Sequence, residues 1–195
     1  MTDIDSVLNA LENRTRREII KRLIFGEGYP LQLSKELKIS QQAIMKHLYI
    51  LEKNNIVRFK GTEKSDLGPN RKIYSLEDSF MLIVSLAPYF FDIKKKNINF
   101  HENIEIKNDN LIEELKKVEN EIEDLENKLI EKMKLKNAIM EKIDEIISDQ
   151  FKSSLEREIF YAYLSTWDEN YVSDEIGLPP NIVKGIVERI INEYI

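Results

Sequence analysis

The stretch LQLSKELKISQQAIMKHLYILEKNNIV, from Leu31 to Val57, is the segment most informative about the structure of the first half of the chain. Apolar residues recur at helical spacing on both sides of Ile39-Ser40, which predicts two helices joined at a tight corner. Ser40 is expected to cap the second helix, because its hydroxyl can accept a hydrogen bond from a free first-turn N–H. The apolar residues that we expect in the shared core are Leu33, Leu37, Ile39, Ile44, Leu48, Leu51 and Val57.

The second helix of this corner keeps an outward face. Long amide side chains at the start of an exposed helix suit base edges, because glutamine pairs bidentately with adenine. Residues near the N-terminus of such a helix are the ones that enter the major groove of DNA. The outward residues are Gln41, Gln42, Met45, Lys46 and Tyr49.

Helical spacing also covers residues 4–25, where Asn13 or Thr15 can cap a second segment. After the corner, Ile56 to Lys60 and Arg71 to Leu76 read as two strands around a polar, glycine-containing loop, which predicts a β-hairpin. The basic residues that we expect at its tip are Lys60, Lys64, Arg71 and Lys72.

Residues 4–90 resemble the ArsR-type winged helix-turn-helix regulators, and in particular an archaeal branch with a helical dimerisation region after the winged helix. The matching segments are LNALENRTRREIIKRL, LSKELKISQQAIMKHLYILEKNNIV and GPNRKIYSL. The resemblance implies DNA contacts by the recognition helix, with the basic hairpin as a phosphate clamp. Metal-sensing members carry Cys-rich or His-rich motifs, and this chain has neither. The recognition-helix residues to which it assigns DNA contacts are Ser40, Gln41, Gln42, Met45, Lys46 and Tyr49.

The apolar run FMLIVSLAPYFF, from Phe80 to Phe91, is too short for a membrane span, which needs about 20 residues. We predict a helix here, capped by Asp78 and continuing through Leu86. It serves as core or dimer interface rather than as a ligand pocket. The interface residues that we expect from it are Leu82, Leu86 and Phe90.

Residues 110–150 contain no Gly or Pro, and apolar residues recur in alternating steps of four and three, the seam of a coiled coil. Strict continuation would put Lys132 and Lys136 in the seam, so we expect a register shift to Met133, Met140, Ile143 and Ile147. Pairing with another chain is favoured over packing within its own domain, and parallel and antiparallel arrangements stay open. The expected contacts are Leu115, Val118, Ile122, Leu125 and Leu129, after Leu111 at the start of the seam.

The expected fold is therefore mostly α with a small β-hairpin wing: a winged helix-turn-helix, a long coiled-coil helix and a small C-terminal helical unit. The expected domains are the winged helix at 1–92, a linker at 93–109, the dimerisation helix at 110–150 and the C-terminal unit at 151–195. We interpret the last as a dimer cap or as a domain that senses an effector, either a small molecule or a protein.

The net charge differs in sign between the first and second halves of the chain. Residues 1–100 hold 17 Lys or Arg against 12 Asp or Glu, a net charge of +5, and residues 101–195 have a net charge of −11. Duplex DNA attracts the first half and repels the second. This asymmetry favours a division of labour, with one half meeting DNA and the other meeting protein.

Other classes of function find little support. The chain has no cysteine and only two histidines, His47 and His101, in separate segments, so we expect no metal site and no cofactor. There is no phosphate-binding glycine loop, nucleophile elbow or acid pair with a histidine, and we do not expect an enzyme. No Arg-flanked apolar leader stands at the N-terminus, and we expect a cytoplasmic protein that does not associate with a membrane.

The sequence thus predicts a transcription regulator, most simply a repressor, that binds double-stranded DNA as a homodimer. The alternative is a winged helix that docks protein, a scaffold within the transcription or chromosome machinery. Two smaller questions stay open. His47 can lie near phosphate or be half-buried in packing, and Arg14, Arg16 and Arg17 can contact phosphate or pair with Glu12 and Glu18.

Overall fold

The computed structural model describes residues 4–65, 68–77, 79–100, 106 and 110–195, and the chain forms two compact units. Unit 1 comprises Met1–Leu82 and Lys94–Glu102, and unit 2 comprises Ile83–Ile93 and Asn103–Ile195. This division differs from the expected domains, because the long helix and the C-terminal helices belong to one unit. His101 and Asp78, both named in the sequence analysis, lie outside the described residues.

Unit 1 begins with four helices: α1 (Ile4–Glu12), α2 (Arg14–Leu23), α3 (Pro30–Leu37) and α4 (Gln41–Lys53). Asn13 caps α2 by accepting a hydrogen bond from the Arg16 N–H, as predicted. Pro30 starts α3, where its missing N–H and fixed φ cost nothing. These helices share one core, which includes the fully buried Ile19, Leu33, Ile44, Leu48 and Leu51.

The wing is an antiparallel hairpin of β1 (Val57–Ser65) and β2 (Gly68–Leu76), which confirms the prediction from sequence. Phe59 pairs with Tyr74, and the next pair is Gly61 with Ile73, so Lys60 is the extra residue of a bulge. Gly28 adds a third short segment to the sheet through two 2.9 Å hydrogen bonds with the backbone of Tyr74. The wing is thereby fixed to the loop that precedes α3.

The apolar run after the wing is not a helix, and the sequence prediction was wrong here. It forms a second hairpin of β3 (Phe80–Ala87) and β4 (Phe90–Asn97), joined by Pro88 and Tyr89. Proline presets the backbone angle that a tight turn needs. The lysines at 94–96, expected in a linker, lie in β4.

Unit 2 contains α5 (Leu111–Ile147), a 3-10 turn at Ser148–Gln150, α6 (Ser154–Thr166), α7 (Glu169–Ile176) and α8 (Pro180–Tyr194). Its core joins the last part of α5 to the three C-terminal helices. The buried residues of that core are Met140, Ile147, Ile159, Phe160, Leu164, Val172, Val183, Val187 and Ile190.

Polar contacts reinforce this packing. Arg189 lies 2.7 Å from the Glu156 carboxylate, and both side chains are mostly buried. The hydroxyl of Tyr161 donates to Asp144, and burial together with this acceptor raises the pKa of Tyr161. These contacts join α5, α6 and α8.

The apolar stripe of α5 serves two different environments. After Lys132 it enters the core of unit 2 through Met140 and Ile147, with Ile143 packed against them. Before Lys132 the stripe is exposed. The exposed fractions of its members are 61% for Leu111, 54% for Leu115, 43% for Val118, 50% for Ile122, 63% for Leu125 and 47% for Leu129.

Candidate nucleic-acid interface

Helix α4 presents the predicted face to solvent. Ser40, Gln41, Gln42 and Lys46 are exposed, and the exposed fraction of Tyr49 is 66%. Gln42, Lys46 and Tyr49 follow one another at steps of four and three, so they lie on one side of the helix. Met45 is half-buried at the edge of this face. The structure therefore brings the six predicted residues together at the first two and a half turns of α4.

The opposite side of α4 holds the helix in place. Ile44, Leu48 and Leu51 are fully buried in the unit 1 core. The Ser40 hydroxyl accepts a hydrogen bond of 3.2 Å from the Ala43 N–H, which confirms the predicted N-cap. The exposed face is thus held by the cap at its start and by buried side chains along the opposite side.

The corner between α3 and α4 depends on a residue that the sequence analysis did not single out. Lys38 adopts a left-handed conformation with φ of 55°, and its N–H donates to Ser34 O. The Ile39 N–H donates to the same carbonyl at 3.1 Å. A non-glycine residue rarely takes this conformation, so no simple pattern marks the position.

The wing lysines and arginine fall into two pairs. Lys60 Nζ lies 3.7 Å from Glu27 Oε1, and the Arg71 guanidinium stacks on the Tyr29 ring at 4.7 Å from its centroid. Both contacts tie the wing to the segment before α3. Lys64 and Lys72 are exposed and form no ion pair with any described residue. These two have the ammonium groups best available to phosphate.

Arg16 answers one of the questions left open by the sequence. Its side chain is buried, and its Nε donates to the Ala10 carbonyl at 2.7 Å. The guanidinium also donates to the Asn9 carbonyl and lies 3.3 Å from Glu12 Oε1. Arg17 donates to the Leu11 and Glu12 carbonyls. Both arginines therefore satisfy carbonyls at the end of α1, which is a structural role.

His47 lies on α4 but faces inward, half-buried beside the core. Burial, together with the nearby Arg16 charge, lowers the pKa of His47 below its ordinary value of 6.5. Its Nδ1 is buried and has no hydrogen-bond partner among the described residues. The histidine therefore belongs to the packing of the helix rather than to its outer face.

Unit 2 contains a separate open groove of about 560 Å³. Its walls are mostly apolar, with Leu86 and Phe90 on the β3–β4 hairpin and Ile130 and Met133 on α5. Lys134 and Asn137 add polar groups at its edge. Of the predicted interface residues of the hairpin, Leu86 is 80% exposed, Leu82 is half-buried and Phe90 is buried, with Lys136 Nζ 4.4 Å from its ring centroid.

The described residues also bear on two other kinds of site. None of the helices there combines the length and apolar character needed to cross a bilayer. In the same part of the chain, no three His, Asp or Glu side chains converge so as to hold a metal ion.

Helices α2, α3 and α4 of unit 1 match the model of a known family. The family model for the bacterial regulatory protein, arsR family, matches residues 13–58, from the cap of α2 to the start of the wing. A search among curated proteins finds no match.

Among solved structures, HlyU from Vibrio cholerae N16961 is 29% identical over 37% of this chain and 73% of its own, with a TM-score of 0.31. HlyU from Vibrio vulnificus CMCP6 is 27% identical over 37% of this chain and 70% of its own, with a TM-score of 0.31. A crystal structure of an ArsR family transcriptional regulator is 28% identical over 38% of this chain and 75% of its own, with a TM-score of 0.32. By the family match, residues 13–58 form an arsR-family helix-turn-helix domain.

Proposed function

We propose that this protein is a sequence-specific DNA-binding transcription regulator that acts as a repressor and binds duplex DNA as a dimer. One observation carries the proposal: α4 of an arsR-family helix-turn-helix exposes Gln41, Gln42, Lys46 and Tyr49 on one face while its other face is fixed in a core. That is the arrangement needed for a helix that reads base edges.

In this proposal α4 enters the major groove with its N-terminus leading. The Gln42 amide pairs with an adenine, donating to one base atom and accepting from another. Lys46 and Tyr49, further along the helix, contact the groove wall. Lys64 and Lys72 of the wing bind phosphate, which positions the protein without reading sequence.

Two copies joined through α5 present two reading helices to successive major grooves, which are about 34 Å apart on B-DNA. A bound dimer excludes polymerase from the same duplex, which gives repression. An effector that alters the geometry of the dimer changes the spacing of the two helices and hence the affinity. The groove of unit 2 is a suitable place for such an effector, because it combines apolar walls with Lys134 and Asn137.

The test compares binding to the promoter of the protein's own gene with binding to unrelated duplexes. Gln42→Ala should relax base preference, with a loss of about 1–3 kcal/mol for each half-site of the preferred sequence only. Gln32→Ala is the matched control, since Gln32 lies on α3 and donates to Glu36. Equal preference in the parent and in Gln42→Ala would refute the placement of α4.

The wing gives the complementary result. Lys72→Ala should weaken binding to all sequences alike and lower the salt slope of the dimer by about two, one for each copy. Lys184→Ala, which removes an exposed lysine of unit 2, should leave both unchanged.

A protein-docking winged helix is the second candidate. Ile24 and Phe25, at the end of α2, are 60% and 90% exposed, and adjacent exposed apolar residues are typical of protein contacts. A mobility-shift experiment at low salt separates the two functions. If no promoter gives a sequence-dependent shift, the docking function is favoured.

A further inference from the structure

The part of the α5 stripe before Lys132 exposes an apolar surface that no other described part of the chain buries. Six apolar side chains from Leu111 to Leu129 follow one another at steps of four and three, and each is 43% to 63% exposed. Such a stripe is the seam of a coiled coil. The inference below rests on the dimer of the proposed function and gives that dimer its direction.

We propose that the seam is covered by the same seam of a second copy running in the opposite direction, with the two-fold axis beside Asn120. In an antiparallel coil, each a position of one helix packs against a d position of the other. Leu115, Ile122 and Leu129 occupy a, and Leu111, Val118 and Leu125 occupy d. Leu111 then meets the partner's Leu129, Leu115 meets the partner's Leu125, and Val118 meets the partner's Ile122. Every layer is apolar, and the mean of the two residue numbers in each pair is 120.

The flanking charges disfavour the parallel alternative. A parallel coil places each g position beside the e position five residues later on the partner. Glu114 would lie beside the partner's Glu119, and Glu121 beside the partner's Glu126. With their symmetry mates these are four contacts between like charges.

The antiparallel coil pairs g with g and e with e instead. Glu114 lies near the partner's Lys128, and two-fold symmetry gives this attractive contact twice. Glu119 and Glu121 approach their own copies near the axis, so two repulsive contacts remain. The balance of charge therefore favours the antiparallel direction.

The lysines after the seam give a third argument. A parallel partner would continue alongside α5. Lys132 would then meet the partner's Lys132, and Lys136 the partner's Lys136, at core positions of the coil. In the antiparallel arrangement the apolar layers end at Leu111 and Leu129, before either lysine is reached. Lys136 already contacts the Phe90 ring of its own unit, with Nζ 4.4 Å from the ring centroid. Lysine at a core position selects against arrangements that would bury it.

The experiment is a set of distances between spin labels in the full-length dimer. The chain has no cysteine, so one introduced cysteine gives one label per copy. Asn120→Cys, Asn127→Cys and Lys134→Cys change exposed residues at f, on the outer side of the coil. With a rise of about 1.5 Å per residue, the two labels should be level along the axis at 120, about 21 Å apart along it at 127 and about 42 Å apart at 134.

The outcomes separate this inference from the dimer on which it rests. A distance that increases from 120 to 127 to 134 supports the antiparallel coil. Three equal distances would show a parallel coil, which overturns the direction and leaves the dimer intact. Absence of any distance between copies, with a monomer mass in solution, overturns both the coil and the dimer.

A charge swap gives an independent readout. Lys128→Glu should weaken the dimer, and adding Glu114→Lys should restore its affinity, because the two positions face each other across the antiparallel coil. Additive effects in this double-mutant cycle would contradict the proposal.

Discussion

Replacing one isoleucine of the α5 seam with lysine should separate the copies without unfolding them. Ile122 and Ile130 are on the same helix, and their exposed fractions are 50% and 52%. Only Ile122 belongs to the seam. Ile122→Lys and Ile130→Lys therefore form a matched pair in residue type, exposure and element.

The magnitude follows from the area that the proposed dimer covers. Full burial of an isoleucine side chain is worth about 1.5–3 kcal/mol, so covering the exposed half of Ile122 is worth roughly 0.8–1.5 kcal/mol per copy. Each dimer contains two copies, which gives about 1.5–3 kcal/mol. This corresponds to an increase of roughly 10- to 150-fold in the dissociation constant. An uncompensated ammonium group in the seam adds to the effect.

Sedimentation equilibrium over a range of protein concentrations measures this constant directly. Helix content from circular dichroism should be unchanged in Ile122→Lys, because residue 122 has no core to support within its own unit. Unaltered dimerisation of Ile122→Lys, or an equal loss in Ile130→Lys, would refute the assignment of the seam.

Two further predictions concern unit 1. Arg16→Ala should lower the free energy of unfolding of unit 1 by about 2–4 kcal/mol, because two α1 carbonyls lose a charged donor. Arg14→Ala, at an exposed position, should change this free energy little. Urea unfolding measures both variants, and equal effects would contradict the role of Arg16. The lowered pKa of His47 means that below its ordinary value of 6.5 the unfolded chain takes up a proton that the folded chain refuses. The contribution of His47 to stability should thus be fully present well above that pH and be lost as the solution is acidified through it. His47→Gln should remove this part of the pH dependence, as checked by unfolding midpoints across the pH range.

The two helices of the helix-turn-helix could be predicted because their signals are local, whereas the left-handed Lys38 at the corner could not. The Ser40 cap, the apolar spacing of α4 and the outward glutamines are all present in one 27-residue stretch, and α4 begins directly after the predicted cap. The strands of the wing were also predicted, although the pairing that ties Gly28 to Tyr74 is not visible in the sequence.

The hairpin after the wing was missed for a physical reason. An apolar run such as residues 80–87 has the same composition in a buried helix and in a strand, and periodicity alone does not separate them. The aromatic and β-branched residues favoured a strand, and Pro88 marked its turn, but both signals were weaker than the expectation of a helix. The role of Arg16 could not be predicted either, since only the tertiary fold brings its guanidinium to the Ala10 carbonyl.

The division of α5 at Lys132 has a consequence for how damage to this helix would manifest itself. Substitutions before that lysine should produce defects that depend on protein concentration and that abundant expression can offset. Substitutions after it, at Met140 or Ile147 for example, should produce thermally labile protein at any concentration. One continuous helix thus carries two classes of mutant phenotype, and a dilution series is enough to assign a variant to its class.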